Sequence, residues 1–488
     1  MQIELPIIVC GEIIDHENRE KIVIKLENGV EVSLPELTEG DIDKIIKSRL
    51  NTNLHKMHFD DITIFFQKVA KFWFAEKNEF RDEAARLASI VTGYPESIVC
   101  RDYKMTSELF LDRSQLYDQI DLELGNRWYI DEWVPCLSCL IKAQPRGLVT
   151  NVLVGNIPIA STFGMFRSLV VKNNTVCKLP KKDPINALYY AMSFLKVAPE
   201  NPITKSTSIV YWERDSWQEQ RILEASDAVC LWGGEQSINE IKKKIKMGTK
   251  ILEYGPKRSL CMIDLNNIDP DDRLDDIALR AAHDFSIFNQ EGCFTSQELY
   301  IASQDELFDK FIKYFAKAMD HFLKVYPKGE IMADNKAHVL LTRSEQQLVG
   351  AEVISTENHD WTIIISKDRK RIQSHPLSRT AVVHRIEKLE DAMEAINSYT
   401  QTVGIYPWKA SEKLRDDITI RGADRIVAIG MANYARVGFP HDGIWTYNQL
   451  VRWVNVERDI DFKGKLINAS KEELIECTYR LGANIAED

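Results

Sequence analysis

A cysteine attacks a carbonyl only as its thiolate, so a cysteine that does chemistry needs local dipoles, charge or a base to lower its pKa. Of the nine cysteines in this chain, Cys293 stands in a candidate setting: the polar turn "FNQEGC" (288–293). The bland reading is that it is one more small buried hydrophobe, like the cysteines that sit inside apolar segments. Three further pieces have residue types suited to a nucleotide. "LVGNIP" places Asn156 at a strand end, "VCKLPKKDP" places Lys178, Lys181 and Lys182 just past the next strand, and "LWGGEQSIN" places Gly233 and Gly234 where a strand gives way to a helix. A glycine pair there lets backbone approach a phosphate whose charge the helix N-terminus favours. A tight turn without a ligand uses the same residues. "CLSC" (136–139) has no partner pair or histidine cluster, and the ten histidines show no ligand spacing, so no metal is expected.

The elements that must position these residues alternate. Residues 1–40 read as short strands, with "KIVIKLENGVEVSLP" as a hairpin turning at "ENG". Residues 59–93 carry helical apolar spacing. From about residue 147 the pattern becomes strand, turn, helix, repeated: "GLVTNVLVGNIP", "NTVCKLP", "TSIVYW", "DAVCLWGG" and "TKILEYGP" as strands, with "PINALYYAMSFLKV", "WQEQRILEAS" and "EQSINEIKKKI" as helices between them. Such alternation predicts parallel strands with crossover helices, a Rossmann-like α/β domain. "RLDDIALRAAHDFSIF" predicts a helix ending just before Cys293, and "TSQELYIA" a strand just after it. Ser303 and Glu306 have the spacing of a capping box for a long helix, whose Phe308, Phe311, Phe315, Met319 and Phe322 make a core-facing stripe.

At 488 residues the chain has room for two or three domains, and 44% hydrophobic with 28% charged residues is ordinary for a globular enzyme. A formal net charge of −11 argues against nucleic acid as a partner. The start "MQIELPIIVCGEIID" has no basic region ahead of an apolar core and reads as no signal peptide. No apolar run is long enough to insert in a membrane. Scattered, odd-numbered cysteines are those expected of reduced thiols in cytoplasm.

Taken together, the motifs bring a resemblance into view. "KILEYGPKRSLCMID", with "FNQEGC" following so that Cys293 lies 40 residues after Glu253, resembles the aldehyde dehydrogenase superfamily. The order Asn156, Lys178, glycine-rich helix start, Glu253, Cys293 follows that of the superfamily. "LELGNRWYIDEWVP", "LVGNIP", "SIVYWERD", "LWGGEQSIN", "YGPKRSLCMID", "AAHDFSIFNQEGCF" and "RDDITIRGADRIVAIGMANYARVGFPHDG" resemble more closely the LuxC-type acyl-CoA reductase family. The match covers residues 120–455 well and the first 120 more loosely.

The resemblance implies an aldehyde dehydrogenase-like α/β fold. Its expected parts are a β-rich segment (1–50), an NADP-binding Rossmann-like domain (51–256) with an oligomerisation arm at about 127–146, a catalytic domain (257–440) and a C-terminal segment (441–488). It implies that Cys293 takes an acyl group from a thioester and that NADPH reduces the acyl-cysteine to aldehyde. Asn156 and the Cys293 backbone N–H would then stabilise the oxyanion. Lys178 would contact the adenosine ribose. Lys181 and Lys182, standing where NAD-preferring members often carry a glutamate, would suit a 2′-phosphate; the alternative is two surface lysines. Gly233 and Gly234 would face the pyrophosphate. Glu253, the position that activates water in hydrolytic members, is left with proton transfer, with deprotonating Cys293, or with no role beyond a solvated carboxylate. "SHPLSRTAVVHRI" (374–386) lacks the glutamate that binds the nicotinamide ribose in the superfamily. His441 in "PHDG" is expected to be structural.

The expected function is NADPH-dependent reduction of a long-chain acyl thioester, on CoA or on a partner acyl-protein synthetase, in a homo-oligomer or a fatty-acid reductase complex. A short-chain CoA-acylating aldehyde dehydrogenase and a non-catalytic acyl-binding scaffold subunit are the alternatives. Lys181 and the "YGPKRS" variation disfavour an ordinary NAD-dependent aldehyde oxidase.

Overall fold

The structure is a computed structural model and describes residues 1–49, 51–136, 139–368, 371–434 and 438–457. The chain divides into two compact units: residues 1–127 with 145–452, and residues 128–144 with the segment from Trp453 onward.

The larger unit is built on two seven-stranded sheets. The first holds five parallel strands, in chain order Leu148–Val152, Asn174–Lys178, Thr207–Val210, Ala228–Trp232 and Lys250–Tyr254. Across the sheet these five lie in the order 3-2-1-4-5, so the chain winds outward one way and then the other from Leu148–Val152. Between the first and fourth strands the winding reverses, which opens a crevice at their carboxyl ends. The N-terminal strands Ile7–Val9 and Glu12–Ile14 close one edge antiparallel. The first four of these strands are buried along nearly their whole length, as helices on both faces require, and the edge strand Lys250–Tyr254 is only partly so.

The second sheet runs from Glu352–Ser355 through Thr362–Ser366, Thr380–Ile386, Ser296–Ala302, Arg258–Asp264 and Thr400–Tyr406 to Arg425–Ala428. All of its pairings are parallel except the first. The helix Leu274–Ser286 packs against the long helix Asp305–Val325. The buried stripe of the latter contains Phe308, Phe311, Phe315, Met319 and Phe322, as the spacing predicts. Each such phenylalanine contributes about 2–3 kcal/mol of burial. A third, three-stranded sheet pairs the N-terminal hairpin strands Lys21–Lys25 and Glu31–Pro35 with Gln2–Glu4.

One local expectation gains detail and another changes. The helical stretch 59–93 is two helices, Phe59–Trp73 and Glu79–Thr92. Asn78 separates them: its side chain accepts from the Arg81 N–H at 2.9 Å and donates to the Phe72 carbonyl at 2.7 Å, capping one helix while closing the other. Ser303 and Glu306 form no capping box. Gln304 is the N-cap without a side-chain bond, and the Ser303 hydroxyl donates to the Gln304 carbonyl at 2.9 Å. The strand ends at Ala302, which leaves Ser303 one position too early to cap.

In the smaller unit, Val134–Cys136 and Cys139–Pro145 pair antiparallel, with Cys136 opposite Cys139, and Val451–Glu457 completes a three-stranded sheet. The rest of the C-terminal segment, 458–488, lies outside the described residues. No helix among the described residues is long and apolar enough to cross a membrane.

Candidate active site

The turn carrying Cys293 is held in an uncommon backbone. After the helix Leu274–Ser286, three successive non-glycine residues take the left-handed region: Phe288 (φ 46°), Asn289 (φ 50°) and Gln290 (φ 68°). Each costs roughly 1–2 kcal/mol, so neighbours must over-determine them. The Gln290 amide donates to the carbonyls of Ser296 (2.7 Å) and Thr380 (2.9 Å) and accepts from the Thr380 N–H (2.8 Å). A second left-handed run, Leu377, Ser378 and Arg379, docks on the first. The Ser378 N–H donates to the Asn289 carbonyl at 2.9 Å, and Arg379 Nε donates to Asn289 Oδ1 at 3.0 Å. The Tyr94 hydroxyl lies 3.0 Å from the Asn156 carbonyl and 3.1 Å from the Phe288 carbonyl, tying the two loops together.

This turn presents Cys293 to a cavity of about 1220 Å³ that reaches Gly155, Asn156, Gly233 and Gly234 at the crevice of the first sheet. Gln401 Nε2 donates to Cys293 Sγ at 3.0 Å and to Asp442 Oδ1 at 3.0 Å. The Thr402 hydroxyl donates to Gln401 Oε1 at 2.9 Å, which fixes the amide with its nitrogen toward the sulfur. Burial first, and then the Asp442 carboxylate, push the thiol far above its ordinary value. The backbone N–H groups of Cys293 and Phe294 and the Gln401 amide pull it the other way. The resting sulfur is therefore a thiol, and it needs a base or an incoming charge to react.

Asn156 enters the same cavity. Its Nδ2 donates to the Glu291 carbonyl at 2.6 Å, and its Oδ1 is buried without a partner among the described residues. The second Nδ2 hydrogen is left for another acceptor. The carboxyl groups lining the cavity belong to Glu123, Glu291, Asp424 and Asp442. Burial raises Glu291, opposed by Lys182, and raises Glu123 to about 7 against the pull of Arg167.

Glu253 is not brought to Cys293. Along the strand Lys250–Tyr254 successive side chains alternate faces; Tyr254 is buried and lines the cavity, and Glu253 is exposed. The Glu253 carboxylate pairs with Lys242 at 2.8 Å. Lys178 is half-buried with its Nζ over the Tyr211 ring, 5.3 Å from the centroid, and desolvation lowers its pKa. Lys181 is exposed and pairs with Glu213 at 3.3 Å; Lys182 is exposed and lines the cavity.

The glycine pair meets the demands of a phosphate site. Gly233 has φ +153°, a region that is essentially glycine's alone, and a side chain added at Gly233 or Gly234 would meet only open space. Gly234 caps the helix Glu235–Lys242, and among the described residues no side-chain cap takes its first-turn N–H groups. The residues present fit a dinucleotide.

Reading the sequence missed Gln401, Asp442 and the place of His441. The His441 ring is enclosed by Trp232, Tyr254 and Phe163, with centroids 5.2, 5.5 and 5.5 Å away. Cys293 Sγ, a His441 ring nitrogen and an Asp442 carboxylate oxygen all lie within 4.8 Å of one another. Asp442 (φ 50°) and Gly443 (φ 74°) turn the chain back so that His441 and Ile444 bond as a one-bridge hairpin. "DG" was the available signal, since Asp-Gly is the pair such a turn asks for. Gln401 lies inside a buried strand and carried no signal.

Comparison with known proteins identifies the family and the fold. Residues 54–453 match the family described as acyl-CoA reductase (LuxC). The chain is 33% identical over 474 residues to the long-chain acyl-protein thioester reductase of Aliivibrio fischeri, covering 96% of each chain. It is 32% identical to the protein of the same name from Vibrio harveyi, covering 97% of each. In fold it is similar to an NADP-dependent glyceraldehyde-3-phosphate dehydrogenase from Bacillus halodurans (TM-score 0.71, 14% identity, 93% of this chain and 99% of that one). Aldehyde dehydrogenase 21 from Physcomitrella patens is also similar (TM-score 0.69, 15% identity, 93% and 98%). With that match across most of its length, on an aldehyde dehydrogenase fold, this chain belongs to the LuxC family of acyl-CoA reductases and is an oxidoreductase.

Proposed function

We propose that this enzyme reduces long-chain acyl thioesters to aldehydes through an acyl group carried on Cys293, with NADPH as reductant. The observation that carries the reading is that one cavity joins the Cys293 sulfur to the glycine crevice of the first sheet. Gly233, Gly234 and the helix start behind them would hold the pyrophosphate. Lys178 would sit beside the adenosine ribose, and Lys181 and Lys182 beside a 2′-phosphate. When bound, the cofactor supplies a hydride to the acyl carbon. The free Nδ2 hydrogen of Asn156 and the Cys293 N–H meet the oxygen that becomes negative as the carbonyl is attacked. Apolar side chains such as Met105, Leu109, Phe163 and Phe439 line the cavity, which supports a fatty acyl chain and the exclusion of water.

The relatives are named for acyl-protein thioesters, which supports a donor carried on a partner protein. In the smaller unit, exposed Trp128, Trp133 and Trp453 support association with a second copy of the chain.

Intact-protein mass spectrometry tests the reading. Incubation with tetradecanoyl-CoA should load one acyl group, which NADPH discharges as aldehyde. Cys293→Ala should stay unmodified, and a Cys293→Ala enzyme that still became acylated and still made aldehyde would overturn the assignment. Faster turnover of butanoyl-CoA than of tetradecanoyl-CoA would favour a short-chain enzyme instead.

A further inference from the structure

The site holds a nucleophile whose resting state is the thiol, and the glutamate expected beside it faces away toward Lys242. The thiol proton therefore has to go elsewhere. Gln401 is fixed as a donor to the sulfur, so it cannot accept. Asp442 Oδ1 already accepts from Gln401. His441 offers a ring nitrogen within 4.8 Å of the sulfur, and its Nε2 is buried without a hydrogen-bond partner among the described residues, 3.9 Å from Asp442 Oδ1. Three aromatic rings and a two-residue turn hold the imidazole in place.

We propose that His441 is the acid–base group of this cysteine, taking the Cys293 proton during acyl transfer and handing it to the departing thiol. The inference rests on the acyl-cysteine reading above. As the bond between Cys293 sulfur and the acyl carbon forms, the S–H proton passes to the imidazole. The adduct then collapses, the bond from carbon to the donor sulfur breaks with its electron pair on that sulfur, and His441 delivers the proton there. One thioester and one thiol go in, and one of each comes out. When the acyl group later leaves as aldehyde, the electron pair stays on Cys293, and His441 relays a solvent proton to it. The charged and titratable groups facing the ring are Arg167, Arg425, Asp442, Cys293 and Tyr254. Burial and the two arginines keep the imidazole neutral at neutral pH. The neutral imidazole offers a lone pair to the proton as the sulfur–carbon bond forms and acidifies the thiol, and as imidazolium it gives the proton up readily.

The test compares two acyl donors on the full-length wild-type and His441→Gln proteins. One is tetradecanoyl-CoA, whose thiolate leaving group needs a proton. The other is a p-nitrophenyl tetradecanoate, whose phenolate does not. Single-turnover acylation of Cys293 is followed by mass spectrometry across pH. His441→Gln should slow acylation from the CoA thioester by roughly 100-fold or more, and the loss should be several-fold smaller with the activated ester. In His441→Ala, added imidazole should restore part of the thioester rate. Equal losses with both donors, no loss, or no rescue in a folded His441→Ala protein would overturn the proposal. If wild-type protein is acylated by neither donor, the acyl-cysteine reading itself fails.

Discussion

The Gln401 side-chain nitrogen lies 3.0 Å from the Cys293 sulfur and 3.0 Å from an Asp442 carboxylate oxygen. One amide thus bridges the Cys293 thiol and a carboxylate that disfavours its ionisation. Because Asp442 raises the thiol pKa and Gln401 lowers it, their removal should act in opposite directions. Asp442→Asn should speed alkylation of Cys293 by iodoacetamide at a fixed pH near neutrality, by about tenfold for each pKa unit released. Gln401→Leu should slow it. Parallel changes in both variants would show that the amide and carboxylate do not tune the sulfur.

Glu253 should matter little to acyl transfer. Its carboxylate is 44% exposed and paired with Lys242, and such pairs contribute about 0–1 kcal/mol. Glu253→Gln should leave stability and the single-turnover acylation rate within about threefold of wild type. A hundredfold loss would mean that the side chain reaches the sulfur in the working enzyme.

Cofactor preference should respond to an ion pair. Lys181 spends part of its charge on Glu213, so Glu213→Gln should raise the ratio of kcat/KM for NADPH over NADH. Lys181→Glu should lower it, since an anion there repels a 2′-phosphate. Unchanged ratios in both variants would remove the pair from recognition of the ribose.

The Gln290 amide makes three buried hydrogen bonds that hold the left-handed turn. Gln290→Ala removes all three bonds, the Thr380 N–H keeping its bond to the Leu377 carbonyl, and should cost about 2–3 kcal/mol in denaturant unfolding. Cys293 acylation should slow in the same protein as the turn relaxes. Wild-type stability would show that the turn holds without this clamp.

Burial raises the Glu123 carboxyl from 4.5 to about 7. Between those values the folded chain keeps a proton that the unfolded chain has lost, so this group's contribution to stability falls as pH rises. Below the lower value both states are protonated and no cost arises. Glu123→Gln should match wild type near pH 4 and exceed it by up to about 3 kcal/mol near pH 8. Thermal unfolding across that range checks the sign.

Much of this protein is written locally in its chain. The alternation of apolar strands and amphipathic helices after residue 147 required parallel sheets, because a strand buried on both faces and a helix with one apolar stripe leave no other packing. The Phe308–Phe322 stripe and the glycine pair at a strand end were legible for the same reason: one periodicity or one backbone requirement sets each. Ser303 and Glu306 show the limit even there, since a cap depends on where the preceding strand stops. The face of Glu253 is a question of strand register, and a shift of one residue reverses it. Only the folded sheet decides that Tyr254 points inward. Gln401 lies 108 residues beyond Cys293 in sequence, and His441 and Asp442 lie farther still. Contacts across such separations depend on how two sheets and their loops pack, and no local pattern carries that information. The sequence by itself singled out Cys293 and determined the scaffold; tertiary packing decided which groups surround its sulfur.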